Sequence, residues 1–124
     1  MATNGHQIRE SFVAGADLSA AQFTFVKMNT TDRTVIAAGN ADAADGVLIN
    51  DPASGAAATV VTHGRVQVLC GTGGLTAGDL VGVDANGAAV TAATNDIVVG
   101  KCVDGASAAE YATIDFFRGG NAAA

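Results

Sequence analysis

Tryptophan is absent from this sequence, tyrosine occurs once, and aromatic residues make up only 5% of the chain. Hydrophobic residues nevertheless reach 49%, much of it alanine. Small and β-branched side chains build a core that suits closely approaching sheets better than a roomy ligand pocket. Positive charge is also scarce, with 6 Lys and Arg against 12 Asp and Glu, a formal net charge of −6. Arg9, Lys27, Arg33, Arg65, Lys101 and Arg118 are scattered along the chain. Nucleic-acid binding is driven by clustered cations that displace counterions from phosphates, and anionic lipid attracts the same clusters. Neither nucleic acid nor a membrane is therefore an expected partner. No apolar run approaches the roughly 20 residues that span a bilayer. Met1 to His6 lack the basic start and apolar stretch of a secretory signal, which predicts folding in the cytoplasm where the chain is made. In such a reducing compartment Cys70 and Cys102 are expected to remain buried thiols that pack as small hydrophobes.

What is present is a succession of short strand-forming runs between turn clusters. The 124 residues fit one domain. Residues 22–28 are rich in strand formers and end in an Asn-Thr-Thr-Asp loop. Residues 34–37 and 46–49 follow, the latter closed by Asn50-Asp51-Pro52, the single proline, whose fixed φ suits a turn. From Val60 to Cys70 side chains alternate. Val60, Thr62, Val66, Val68 and Cys70 are predicted on one face, and Val61, His63, Arg65, Gln67 and Leu69 on the other. Gly64 predicts a bulge or bend in that run. Residues 79–84 face 88–91 across Ala85-Asn86-Gly87, a hairpin signal because Asn-Gly tolerates positive φ at a tight tip. Residues 97–103 and 110–117 complete eight predicted strands, with no capped amphipathic helix among them. The pattern predicts an all-β fold, a small antiparallel β-barrel or β-sandwich with an extended N-terminal arm. The expected divisions are an arm over 1–21, the β-domain over 22–117 and a flexible tail over 118–124. Closure is expected, because a chain with so few charged gatekeepers gains from having no open strand edge.

Candidate chemistry is sparse. His6 and His63 are the only histidines, and neither is paired with a nucleophile at a recognisable spacing. Cys70 and Cys102 stand alone rather than as a closely spaced zinc-ligand pair. Asp42, Asp45 and Asp51 fall in loop sequence without the alternating oxygen ligands and closing Glu of a calcium loop. Gly71-Thr72-Gly73-Gly74 leads into a strand, whereas a phosphate cradle needs a helix N-terminus behind it. No catalytic, cofactor-binding or metal-ligating residue is assigned. The chain is read as a non-enzyme without a small-molecule substrate.

Two runs, Thr62-His63-Gly64-Arg65-Val66 and Gly74-Leu75-Thr76-Ala77-Gly78-Asp79-Leu80-Val81-Gly82-Val83-Asp84, carry a resemblance. Gly87-Ala88-Ala89-Val90-Thr91, Val99-Gly100-Lys101-Cys102-Val103 and Ala112-Thr113-Ile114-Asp115-Phe116 extend it over residues 58–117. Together they resemble the capsid cement, or head decoration, proteins of tailed phages. The resemblance implies a β-barrel-like virion protein on the capsid exterior, often a homotrimer, that binds the major capsid protein and staples neighbouring subunits. Ile8, Arg9, Phe12, Val13 and Leu18 are then expected as the capsid-contact residues of the arm, and removing residues 1–20 is expected to leave a folded barrel that no longer stays on the capsid. A rival reading is a β-module of a fibre or surface assembly that binds carbohydrate. The lone Tyr111 and the absent Trp give that reading little aromatic platform.

Overall fold

The computed structural model describes residues 7–40, 42–93 and 96–117. His6, Arg118 and the expected tail lie outside the described residues. Within them nine strands form: β1 Ile8–Ala14, β2 Phe25–Met28, β3 Thr34–Ala37, β4 Gly46–Leu48, β5 Ala57–Leu69, β6 Leu80–Val83, β7 Ala89–Thr91, β8 Gly100–Asp104 and β9 Tyr111–Phe116. All eight predicted strands are present, and the fold is all-β as expected. The added strand is β1. Residues 8–14 of the expected arm are thus built into the sheet, where Val13 pairs with Ala57 of β5 and also lies beside Thr34 of β3. Only Phe12 and Ala14 of β1 point inward. Two inward residues are too few to make a readable period, which is why the strand was invisible in the sequence.

Five strands close a barrel in the order β1-β3-β2-β4-β5, sealed by the β1–β5 pairing. Four pairs are antiparallel and β1–β3 is parallel. The parallel pair is a parity consequence, since strand direction cannot alternate all the way around a ring with an odd number of members. The barrel is therefore mixed, not wholly antiparallel. The other four strands lie outside it, in the order β9-β8-β6-β7, and continue antiparallel from the second half of β5.

Two apolar clusters follow from side-chain alternation. One takes Phe12 and Ala14 from β1, Val26 from β2, Val35 from β3, Leu48 from β4, and Ala58 and Val60 from β5, with Leu18 from the following loop. Because every barrel strand contributes, this is the barrel interior. The neighbours Phe25, Val47 and Val61 point the other way and join Val66, Val68, Val81, Val83, Val99, Ile114 and Phe116 in a larger cluster beneath the outer sheet. The wall made by β2, β4 and β5 is thus buried on both faces.

The grouping of β5 side chains departs from the prediction. Val60 lies inside the barrel, whereas Val66 and Val68 share the cluster of Val61. The cause is a register shift in which Ile8 faces His63 but Arg9 faces Val61, leaving Thr62 as an extra residue. A bulge inserts one residue into a two-residue period and exchanges the faces beyond it. The irregularity expected at Gly64 thus begins two residues earlier, and Gly64 itself sits at φ 113. The bend lets one strand serve the barrel with its first half and β9 with its second.

The predicted hairpin is formed. Val83 pairs with Ala89 around a tip where Gly87 adopts φ 79, a left-handed conformation glycine takes without steric penalty. Its carbonyl accepts the Phe25 N–H at 2.8 Å, docking the hairpin on the barrel.

Candidate interaction surface

The sequence-predicted chemical residues are placed apart or are used structurally. His63 is exposed at the bulge, opposite Ile8. Arg65 is occupied by Asp115 across the β5–β9 pair, with Nε to Oδ1 at 2.9 Å and a second contact at 3.3 Å. Among the described residues no group of three or more His, Cys, Asp or Glu is arranged to hold a metal ion. Cys70 and Cys102 are buried free thiols. Desolvation by burial is the largest influence on each and pushes both above the ordinary thiol range, away from thiolate reactivity. The glycine-rich run is a loop crossing. Leu75 and Ala106 exchange backbone hydrogen bonds of 2.9 and 3.0 Å, and a Cβ on Gly74 would meet the Ala106 oxygen at 2.4 Å. Close backbone approach, not phosphate binding, accounts for that glycine.

The acidic excess serves as a set of loop latches. Asp17 accepts the Ser19 N–H, Asp45 that of Met28, Asp79 that of Thr76, and Asp96 that of Ala93. Asp84 Oδ1 accepts from both Asn86 and Ala88 at the hairpin tip. Asp42 Oδ2 accepts from Lys27 Nζ and from the Gly39 N–H, each at 2.7 Å. At Asp42 and Asp17 the bonds favour the ionised carboxylate. The Lys27 ammonium, followed by the Gly39 amide, holds Asp42 below the usual carboxylate value of 3.8, and Ser19 does the same for Asp17. A carboxyl group whose pKa is depressed by folding contributes stability above its unfolded pKa and loses it as pH falls through its folded one. The melting temperature is therefore expected to hold steady from about pH 7 to about pH 5 and to drop once pH falls below the ordinary carboxylate range. Asp42→Asn should flatten part of that drop. Superimposable pH profiles for the two proteins would remove Asp42 from the effect.

A cleft of about 420 Å³ opens beside the β5 terminus, lined by Ala20, Ala21, Leu69, Ala88, Ala108 and Ala109 with Thr24, Thr72, Asp84 and Asn86 among its polar groups. Five alanines and Leu69 make up half of its lining, and Asp84 Oδ1 is already engaged at the hairpin tip.

Large apolar side chains reach solvent at Ile8, Val13, Met28, Leu80, Tyr111 and Phe117. Of the five expected contact residues, Ile8, Arg9 and Val13 face outward on β1. Phe12 and Leu18 are only 5% and 3% exposed and belong to the barrel interior. The Phe12 ring also lies 5.1 Å beneath the Arg33 guanidinium, which donates to the Ser11 carbonyl at 2.7 Å. β1 thus splits into a structural face and an outward face. Sequence reasoning did not assign Phe23 and Tyr111 to a surface site. Their rings meet edge to face with centroids 5.4 Å apart. The single tyrosine in a tryptophan-free chain was the available signal.

No family model matches the chain, and no curated protein matches it. Among solved structures, the crystal structure of the head fiber gp8.5 N base of bacteriophage phi29 matches with a TM-score of 0.73 at 17% identity, covering 95% of this chain and 100% of that one. The alignment therefore spans the barrel and the outer strands together. The chain shares the fold of the phi29 head fiber N base.

Proposed function

We propose that this chain is a structural protein of a phage head, held on the outer surface of the virion by contacts to the major capsid protein. The likeness to a head fiber base over nearly the whole of both chains carries this reading. The occupied Arg65, the latched carboxylates and the buried thiols accord with adhesion instead of catalysis. The finer role is that of a cement, in which a homotrimer bridges neighbouring capsid subunits. The outward residues of β1, Ile8, Arg9 and Val13, make the contact, while Phe12 and Leu18 hold the strand that presents them. A contact of about 4 kcal/mol gives only millimolar affinity alone. Three on one trimer act at high effective concentration and hold firmly.

The test is to mix the purified protein with heads of the encoding phage assembled without it. Added density outside the shell is the expected result, together with a native mass of three chains. Bare shells at saturating protein would overturn the proposal. Ile8→Ser and Val13→Ser together are expected to leave the melting temperature almost unchanged and to weaken head binding by about tenfold or more, since each removes part of a buried aliphatic contact worth roughly 1.5–3 kcal/mol when complete.

A further inference from the structure

The second apolar surface feature, the half-buried Phe23 against the exposed Tyr111, lies far from the β1 contact residues along β5. Ile8 sits opposite His63, whereas Tyr111 sits opposite Leu69. Six residues of strand separate these positions, about 20 Å at the usual rise. Tyr111 is 50% exposed. Leu69 beside it forms part of the alanine-lined cleft. Aromatic pair and cleft are thus joined in one apolar face.

The backbone around this face is held in a costly shape. Phe23 has φ 66 and Ala109 has φ 66, two of the three non-glycine residues with positive φ among those described. A left-handed conformation is unfavourable for a side-chain-bearing residue and persists only where surrounding structure enforces it. Here the Phe23 N–H donates to Leu48 at 2.6 Å, and its carbonyl accepts from Leu69 at 2.8 Å. The Ala109 N–H donates to Cys70 at 3.0 Å. These clamps fix Phe23 against Tyr111 at the surface instead of releasing it into the core.

Two carboxylates border the face. Glu110, between Ala109 and Tyr111, is exposed, and its carboxylate has no side-chain partner among the described residues. Asp84 lies on the cleft wall, and none of the lining residues is Lys or Arg. A free carboxylate next to an exposed tyrosine ring is matched by a guanidinium or ammonium, which pairs with the one and lies over the other. Two copies of this chain meeting face to face would instead oppose acidic rims.

We infer that the Phe23–Leu69–Tyr111 face is a second docking surface, and that it receives a cationic loop of the shell protein presenting an Arg or Lys beside an apolar side chain. The inference rests on the head-binding reading but uses residues outside β1. Its test compares wild type, Glu110→Lys and Tyr111→Ala in sedimentation with heads lacking the protein, across a salt series, with thermal melts confirming that each variant folds. Glu110→Lys is expected to weaken binding by about tenfold and to reduce its salt dependence, as removal of a rim charge does. Tyr111→Ala should weaken it by a similar factor with the salt dependence retained. If wild type binds heads and both variants bind equally well, this face is no contact while the head-binding reading survives. If wild type itself does not bind, that reading falls and takes the inference with it. Loss of trimers in Glu110→Lys would assign the face to a second copy, and glycan binding abolished by Tyr111→Ala would assign it to carbohydrate. Either result overturns the shell-loop partner.

Discussion

A chain starting at Gly15 is expected to lose its barrel, not merely its grip on a partner. Without β1, the strands β3 and β5 no longer have the neighbour that joins them, and two unpaired edges face solvent. The interior loses Phe12 and Ala14. Arg33 loses both the Ser11 carbonyl and the Phe12 ring. Replacing Phe12 alone by Ala should cost about 3–5 kcal/mol, against a total stability of roughly 5–15 kcal/mol for a natural domain. Complete removal of the strand should therefore abolish a cooperative melt and drive aggregation, read by circular dichroism and size-exclusion chromatography. A truncated protein that melts within a few degrees of the intact one would show that β1 is dispensable. This outcome is the opposite of the expectation that residues 1–20 can be removed from an intact barrel, because residues 8–14 form one of its strands. Loss of capsid retention on truncation would report unfolding as readily as a lost contact, so the outward substitutions Ile8→Ser and Val13→Ser are the informative variants.

Phe25→Ala should be nearly as damaging, for a different reason. Phe25 is completely buried on the outer wall of the barrel. Its ring lies 6.0 Å from that of Phe116 at a tilt of 34°. Its N–H is the one that fastens the Gly87 hairpin. The side chain is therefore shared between the barrel and the outer sheet, and truncating it opens a cavity at their junction. The expected loss is about 3–5 kcal/mol in urea unfolding. Phe116→Ala should be comparable, and a double-mutant cycle should return a coupling of about 1 kcal/mol between the two rings. Strict additivity, or a loss under about 1 kcal/mol for either variant, would mean that other contacts hold the two layers together.

How much was legible follows from how local each signal is. Period-two alternation and turn residues act between near neighbours, so β2 to β9 could be read from short runs, and Ala85-Asn86-Gly87 marked its hairpin. The closure of the barrel is different in kind. It rests on Val13 meeting Ala57 and Thr34, partners distant in sequence that leave no local trace. The bulge expected at Gly64 was legible, but its true start at Thr62, which exchanges the faces of β5 and unites Val61 with Val66, depends on the distant partners Ile8 and Arg9. Surface sites were the least legible, because exposure is a property of the closed molecule. Phe12 and Val13 are adjacent and both apolar, yet one fills the barrel and the other meets solvent.

The sequence by itself determined a strand-built, tryptophan-free, acidic domain. Those properties depend on side-chain type and short-range spacing. Only the tertiary structure decided that the N-terminal segment is a barrel strand, that five strands close with one parallel pair, and which of its apolar residues remain outside. Ring closure joins segments too far apart for local sequence to encode, and it decides which apolar residues of β1 are buried and which stay at the surface.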